Sequence, residues 1–368
     1  MWCGCTEQWT GSGAGFQLDR RQAIKALAAL LTAGCGATVT SAHRDDAQRL
    51  AQESTSVDLH SHPGMFRSST TSLEGHLERM TRAKLKASLF ASVADGPVIG
   101  RRPQGGGFYA TRELRPGESY SYTYNLINAV RSRVTAGRLA LIQSPADLDA
   151  AHAQGRPGAF LAVEGGDFLE GRIDRVQEAY QRGIRSIQLT HYRINELGDI
   201  QTEPPRHGGL TSFGKDVIRE MNRLGMLVDV AHLTLDGVRA AVAVSQKPLL
   251  LSHTVLDTGW ARSVSSEHAR LVAQRGGVIG IFPVNSGYHG FGGYIDHIVR
   301  MIKTVGADHV GIGTDMDGIS PPSFASFDNY AEWPSITAAL LARGYSREDV
   351  AKVAGENFLR VYREVAAR

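Results

Sequence analysis

The feature that most constrains the fold is a series of eight short apolar segments separated by stretches with helical periodicity. In chain order they read SVDLH, ASLFASVA, GAFLAVEGG, IRSIQLTH, GMLVDVAH, PLLLSH, GGVIGIFPV and DHVGIGTD. Most are followed by amphipathic stretches such as SFGKDVIREMNRLG, and several of these end on glycine, as helices often do. Nearly continuous apolar strands that alternate with helices are typical of parallel strands covered by helices. Eight such units predict an α/β fold, the (β/α)8 TIM barrel.

Length and composition agree with one large barrel. The chain has 368 residues, of which 42% are hydrophobic and 21% charged, as in a soluble globular protein with a full core. We therefore expect a single barrel domain over 43–368, with an insertion at about 97–157 in which a loop precedes a helix at 126–135. The formal net charge is +3 without any block of like charges, which gives no support for nucleic-acid binding.

The N-terminal segment LDRRQAIKALAALLTAGCGATVTSA has the pattern of an export signal. Arg20 and Arg21 precede a short apolar run at 23–33 and then small residues, which resembles a twin-arginine signal. The run is too short to span a membrane. We predict that 1–42 directs export to the bacterial periplasm or cell envelope; a reporter that this segment leaves in the cytoplasm would contradict the prediction. An ordinary amphipathic first helix is the alternative.

The sequence LTAGC inside this segment resembles a bacterial lipobox. Cys35 would be the lipidated residue, although Thr32 stands where such boxes usually carry leucine. A lipid anchor on Cys35 is the one membrane contact that the sequence predicts, and labelling with a fatty acid would separate a lipoprotein from a soluble form. Both forms stay open, as does the choice between a monomer and a homodimer.

Polar side chains stand at the ends of six of the eight apolar segments. They are His60 and His62 in the first segment, Glu164 in the third, His191 in the fourth, His232 in the fifth, His253 in the sixth and Asp315 in the eighth. Barrel active sites lie at the C-terminal ends of the strands, so we expect these side chains to meet. His60 and His62 are two residues apart and point to one face of a strand. A buried structural histidine is the simpler alternative for each position taken alone.

This set of donors indicates a metal centre. The only cysteines are Cys3, Cys5 and Cys35, so a metal site later in the chain has to use histidine and carboxylate ligands. Zinc accepts both, and a hydrolytic site keeps one position for water. Five donors from this set of seven would already be too many for one such ion, but they suit two ions that a carboxylate such as Glu164 bridges. Asp315 can then accept a proton from the attacking water and pass it to the leaving amine.

Seven stretches of the chain match a known family: VEGGDFLEG, IQLTHYRINELGD, GLTSFGKDVIREMNRLGMLVDVAHL, LLSHT, ARSVSSEHARLVAQRGGVIGI, HVGIGTDMDGI and VAGENFLRVYREV. In these stretches the chain resembles the membrane (renal-type) dipeptidases, zinc peptidases of the amidohydrolase superfamily. The resemblance covers nearly everything from Val57 onward, in the family's order, and the long stretch that ends at His232 is highly specific.

The resemblance implies a ligand set for the metals. Glu164 would bridge two zinc ions, with His60 and His62 on one ion and His232 and His253 on the other. The implied reaction is hydrolysis of small dipeptides by attack of a metal-bridging hydroxide, with tolerance for a D-residue at the C-terminal position.

The resemblance also implies roles for residues that are not ligands. Asp315, rather than Asp317, would be the acid/base residue, since the family uses the first aspartate of this pattern. His191 would contact the substrate and stabilise the developing oxyanion. Arg262 would bind the substrate carboxylate, and an ordinary surface arginine is its alternative.

One position departs from the family, which usually has H-x-D on its first strand where this chain has His62. The change removes one negative charge from the centre and affects its Lewis acidity, metal preference and substrate.

Two alternatives to a dipeptidase therefore stay open. One is another binuclear-metal amide hydrolase or deacetylase on the same site, and the loop at 105–124 would separate it from a dipeptidase. The other is a non-catalytic exported metal-binding maturation factor, which has no need of His191 and Asp315.

Overall fold

The computed structural model describes residues 37–64, 72–103, 107–284, 290–318 and 330–367. Arg20, Arg21 and Cys35, on which the predicted export signal and lipid anchor depend, lie outside the described residues. Within the described residues, no helix is long and apolar enough to cross a membrane.

Twelve strands and twelve helices are named here in chain order. The strands are β1 (Val57–Ser61), β2 (Ala87–Val93), β3 (Ile99–Arg101), β4 (Phe108–Ala110), β5 (Ala140–Leu141), β6 (Gly158–Glu164), β7 (Ile184–Gln188), β8 (Leu227–Asp229), β9 (Leu250–Leu256), β10 (Ser263–Val264), β11 (Val278–Ile281) and β12 (Val310–Ile312). The helices are α1 (Ser41–Glu53), α2 (Leu73–Ala83), α3 (Glu118–Thr135), α4 (Pro145–Ala153), α5 (Asp174–Gln181), α6 (Ser212–Leu224), α7 (Leu235–Val244), α8 (Ser266–Gln274), α9 (Gly290–Val305), α10 (Trp333–Ala342), α11 (Arg347–Ala351) and α12 (Asn357–Ala366).

Eight parallel strands form the barrel, in the order β1-β2-β6-β7-β8-β9-β11-β12. Backbone contacts beyond the end of β12 bring the last strand back to the first: the His62 amide donates to the Met316 carbonyl at 2.8 Å, and the Asp315 amide donates to the His60 carbonyl at 2.9 Å. Each of the eight apolar segments forms one of these strands. The predicted (β/α)8 barrel is therefore confirmed.

The strands are buried on both faces, which explains their nearly continuous apolar sequences. All seven residues of β2 and all seven of β6 are buried. At the N-terminal end of the barrel, Phe160 packs edge-on against Phe358 and Tyr362 of α12, with ring centroids 5.1 and 4.9 Å apart. The helix α12 therefore covers this end of the barrel.

The segment between β2 and β6 contains the β3–β4 hairpin, α3, β5 and α4. The predicted helix at 126–135 is correct in type but too short, since α3 begins at Glu118. The missing turns are SYSYTYN, whose serine, threonine and tyrosine residues are weak helix formers. Tertiary packing decides here, because Ser119, Thr123 and Tyr124 are buried against the core.

Candidate active site

The predicted site residues converge at the carboxyl end of the barrel. His191, His232 and Asp315 each lie three residues beyond the end of their strand, β7, β8 and β12 respectively. Glu164 is the last residue of β6, while His60 lies within β1 and His62 just after it. His253 differs from the expectation of a strand end, because β9 continues to Leu256. The pairing of β9 with β11 shifts register around His253, so that its side chain can turn toward the others.

Two of these residues hold a backbone conformation that is rare outside glycine. The φ angle is 68° at His232 and 52° at Asp315. A positive φ reverses the chain directly after the strand and is costly for residues with a Cβ. Such positions cluster at active sites, where the surrounding structure holds them in place. Both side chains reach the mouth of the barrel because of these turns.

The first cluster of donors consists of His60, His62 and Glu164, all of them buried. The two histidine Nε2 atoms are 3.0 Å apart. His60 Nε2 lies 3.4 Å from Glu164 Oε1, and His62 Nε2 lies 3.3 Å from Glu164 Oε2. The H-x-H spacing therefore brings both rings to one point, as predicted from the alternation of side chains along a strand.

The second cluster shares Glu164 and adds His232 and His253. Their Nε2 atoms are 3.2 Å apart. They lie 3.4 and 3.7 Å from Glu164 Oε1. One carboxylate thus stands between two pairs of imidazoles.

The donor set and its spacing fit divalent metal ions. Nitrogen and oxygen ligands that bind one tetrahedral zinc at its usual bond lengths lie about 3.3 Å apart. The separations within the two clusters, 3.0 to 3.7 Å, bracket that value. Imidazole nitrogen and carboxylate oxygen are ligands that zinc prefers in proteins. Each cluster can therefore hold one ion, with Glu164 shared between them.

The electrostatics favour the ligand forms of the three groups in the second cluster. Burial lowers the pKa of His232 and His253 well below the ordinary value, which keeps both imidazoles neutral. Burial alone would raise the pKa of Glu164, but the nearby His191 and His60 outweigh it and hold that pKa well below the ordinary value. A neutral imidazole and an ionised carboxylate are the forms that bind a metal.

Hydrogen bonds behind the rings fix their orientation. The Ser252 hydroxyl lies 3.2 Å from His60 Nδ1 and 3.0 Å from His253 Nδ1, so it joins one ring of each cluster. His62 Nδ1 lies 2.8 Å from the Ala91 carbonyl oxygen. Contacts of this kind leave each Nε2 lone pair directed at the cluster. Among the described residues, His232 Nδ1 has no hydrogen-bond partner.

His191 lies beside the clusters and is held by a buried carboxylate. Its Nδ1 is 2.7 Å from Asp95 Oδ1, and its Nε2 is 3.3 Å from Glu164 Oε2. Asp95 also accepts the Tyr192 amide at 3.0 Å. Burial opposes a charge on the ring, but Asp95 and Glu164 prevail and raise the pKa of His191 to about 9. Nε2 is therefore placed to donate a hydrogen bond into the site.

Two further predicted residues have distinct surroundings. Arg262 is buried and reaches the second cluster, with Nη2 3.1 Å from His253 Nε2 and Nη1 bonded to Gln201 Oε1 at 2.5 Å. It is thus no ordinary surface arginine. Asp315 Oδ1 lies 3.1 Å from His62 Nε2. Asp317, two residues later, turns away and pairs with His76 and Arg79.

A pocket opens above the two clusters. His62, Glu164, His232, His253, His191 and Asp315 contribute to its polar part. Its apolar walls are Val93, Ile99, Phe108, Tyr192, Trp260 and Phe282. Arg101 and Arg262 add two cations. The pocket thus combines an apolar lining with a few convergent polar groups, as sites for small ligands do.

Sequence reasoning missed several of these residues. Asp95 stands two residues beyond β2, so the rule that directed attention to strand ends would have found it. Ser252 precedes a predicted ligand and carries no signal of its own. Arg101 and Phe108 belong to the β3–β4 hairpin, whose placement over the barrel mouth depends on tertiary structure.

Comparisons with known proteins agree with the geometry. The model of the family described as membrane dipeptidase (peptidase family M19) matches residues 44–368. A dipeptidase from Aspergillus oryzae, AclJ, is 31% identical over 224 residues, which are 58% of this chain and 53% of that protein. The match therefore spans about half the length of that relative.

Solved structures show the same fold. An amidohydrolase from Pseudomonas aeruginosa is 23% identical, with a TM-score of 0.72 over 88% of this chain and 99% of that one. A metallopeptidase from Rhodobacter sphaeroides, solved with a phosphinate mimic of the dipeptide L-Ala-D-Ala, is 20% identical, with a TM-score of 0.72 over 85% of this chain and 99% of that one. With a family model that matches almost the whole described chain, the resemblance found in the sequence is confirmed, and the chain belongs to the membrane dipeptidase family, peptidase family M19.

Proposed function

We propose that this protein is a zinc-dependent dipeptidase that hydrolyses small dipeptides in the pocket at the carboxyl end of the barrel. One observation carries the proposal: two three-ligand clusters share Glu164 at the base of that pocket. Membership of a dipeptidase family agrees with it.

The proposed ligands of one zinc ion are His60, His62 and Glu164, and those of the other are Glu164, His232 and His253. Two such ions, when bound, lower the pKa of water toward neutrality and polarise the carbonyl of the scissile bond. His62 stands where the family usually has aspartate, so the first cluster has one negative charge fewer. The Nε2 atom of His62 nonetheless lies 3.0 Å from His60 Nε2, a separation that two ligands of one metal ion can have.

Asp315 has the position that a general acid–base residue needs. Its carboxylate lies at the edge of the first cluster, 3.1 Å from His62, and lines the pocket. It accepts the proton of the attacking water and delivers it to the nitrogen of the leaving amino group as the C–N bond breaks.

His191 is proposed to stabilise the negative charge that develops on the carbonyl oxygen. Asp95 holds Nδ1, and Nε2–H, which lies 3.3 Å from Glu164 Oε2, is directed into the site, where it can donate to that oxygen. A charged donor that is buried and already oriented costs little reorganisation free energy during the reaction, so it stabilises the transition state effectively.

Arg262 is proposed to bind the C-terminal carboxylate of the dipeptide, because it is buried beside the second cluster and lines the pocket. Arg262→Ala should raise KM for dipeptides with a free carboxylate by about ten- to a hundred-fold, since a charge-assisted hydrogen bond is lost. C-terminally amidated versions of the same dipeptides are the control and should be affected much less. An equal loss for both kinds of substrate would show that Arg262 is not the anchor.

A C-terminal D-residue is also proposed to be accepted. The Rhodobacter sphaeroides metallopeptidase with the same fold was solved with a mimic of L-Ala-D-Ala. L-Ala-D-Ala and L-Ala-L-Ala differ only at the C-terminal residue, so their relative rates measure this tolerance directly.

The experiment that tests the proposed function is turnover of a panel of dipeptides, N-acetylated amino acids and lactams by the purified, zinc-loaded protein. We expect dipeptides to be hydrolysed and the reaction to stop on chelation. Cleavage of acetyl groups or lactams alone would favour the amide hydrolase or deacetylase. Absence of turnover from a protein that binds two zinc ions would favour the maturation factor.

A further inference from the structure

The β3–β4 hairpin brings a second arginine to the substrate pocket. In this antiparallel pair Ile99 faces Ala110 and Arg101 faces Phe108. Side chains two residues apart on a strand, and those directly opposite on its partner, share one face of the hairpin. Ile99, Arg101 and Phe108 all line the pocket. The face of the hairpin that carries Arg101 is therefore the face that covers the active site.

The guanidinium of Arg101 is positioned by an aromatic ring, and the described residues provide no anionic partner for it. Its Cζ lies 5.1 Å from the centroid of the Phe108 ring, a cation–π distance. Stacking on a ring leaves the N–H groups at the edge of the guanidinium available for a carboxylate. Among the described residues, no carboxylate pairs with Arg101. The neighbouring Arg102 is different, since it stacks on Tyr109 and forms an ion pair with Glu203.

The two arginines of the pocket differ in depth. Arg262 is only 2% exposed and lies against His253, where the main-chain carboxylate next to the scissile bond is proposed to bind. Arg101 is exposed and lies on the covering hairpin, at the outer part of the pocket. A dipeptide has one terminal carboxylate, and a second anionic group at the mouth has to come from a side chain.

Resting on the proposed dipeptidase function, we propose that the preferred substrates are dipeptides with an acidic side chain, and that Arg101 is the residue that determines this preference. A carboxylate and a guanidinium can form two parallel charge-assisted hydrogen bonds, which makes the contact selective for aspartate or glutamate over their amides. Arg101 is accordingly a specificity-determining residue and takes no part in bond cleavage.

The test compares dipeptides that differ in the charge of one side chain: Ala-Asp with Ala-Asn, and Ala-Glu with Ala-Gln. The corresponding dipeptides with the acidic or amide residue first, such as Asp-Ala and Asn-Ala, are compared in the same way. The zinc-loaded full chain should show kcat/KM about ten-fold or more higher for the acidic member at one position at least. R101Q should bring that ratio close to one, because its loss on the acidic member should exceed any loss on the neutral member. R101E should disfavour acidic substrates and favour lysine at the same position.

R102Q is the matched control, because Arg102 is the next residue along the chain, also stacks on an aromatic ring, and already has a carboxylate partner. It should keep the acidic preference of the wild type.

The preference for acidic substrates should also shrink as the salt concentration is raised, since an exposed charge pair is screened. If the wild type hydrolyses neutral and acidic members equally, or if R101Q slows both equally, the inference is wrong while the dipeptidase function stands. If no dipeptide is hydrolysed, the proposed function itself fails.

Discussion

Replacement of Asp315 by asparagine should lower kcat by about 10²–10⁴-fold, the usual contribution of general acid–base catalysis, with little change in KM. Asparagine keeps the size of the side chain but cannot accept the proton of the attacking water. It also tolerates the φ angle of 52° at this position better than most residues do. Zinc content should stay near that of the wild type, because Asp315 is not among the proposed ligands.

Asp317→Asn is the matched control for this substitution. Asp317 lies in the same turn and has a φ angle of 64°. Its replacement by asparagine removes the same carboxylate charge as the replacement of Asp315. It pairs with His76 and Arg79 instead of facing the clusters, so its loss should reduce stability and leave kcat within a few-fold of the wild type. Steady-state kinetics and zinc analysis of both variants distinguish a role in proton transfer from a structural role. Near-normal turnover by Asp315→Asn would rule out the proposed proton transfer.

Glu164→Gln should have the other large effect, because one carboxylate belongs to both clusters. The amide retains one acceptor oxygen but lacks the negative charge that two cations share. We expect the variant to lose at least one of the two zinc ions. Loss of the stabilisation that metal ions give to the transition state, several kcal/mol, corresponds to a drop in kcat of about 10³-fold or more.

A thermal readout separates metal loss from misfolding in this variant. Saturating zinc should raise the Tm of the wild-type protein, since a ligand that binds the folded state stabilises it. The Tm of Glu164→Gln should respond much less, while its circular dichroism spectrum stays that of the wild type. Glu220→Gln, which changes a partly exposed glutamate of α6 that pairs with Arg223, is the control. A full zinc response in Glu164→Gln would contradict the bridging role.

Most of the fold was predictable because the strands of this barrel are buried on both faces. That burial leaves a continuous apolar segment in the sequence for each strand, and a polar residue where the strand reaches the mouth. Glu164, His232 and Asp315 were found in this way. Local sequence patterns predict a helix boundary poorly where tertiary packing determines it. The start of α3 at Glu118 lies in a tyrosine-rich segment that carries no clear helical signal.

The parts of the site that were missed depend on contacts between distant segments. Ser252 reaches His60 across 192 positions of the chain, and Asp95 reaches His191 across 96. No spacing rule connects such pairs, because their separation in the sequence depends on the lengths of the intervening helices and loops. His253 was expected at the end of its strand, but it lies within β9 and meets the other ligands through a shift in register.

We propose that two metal ions share Glu164 at the mouth of the barrel. Anomalous diffraction at the zinc edge from crystals of the zinc-loaded protein tests it most directly. Two peaks are predicted, one among His60, His62 and Glu164 and the other among Glu164, His232 and His253. A single peak, or ions bound away from Glu164, would contradict the account.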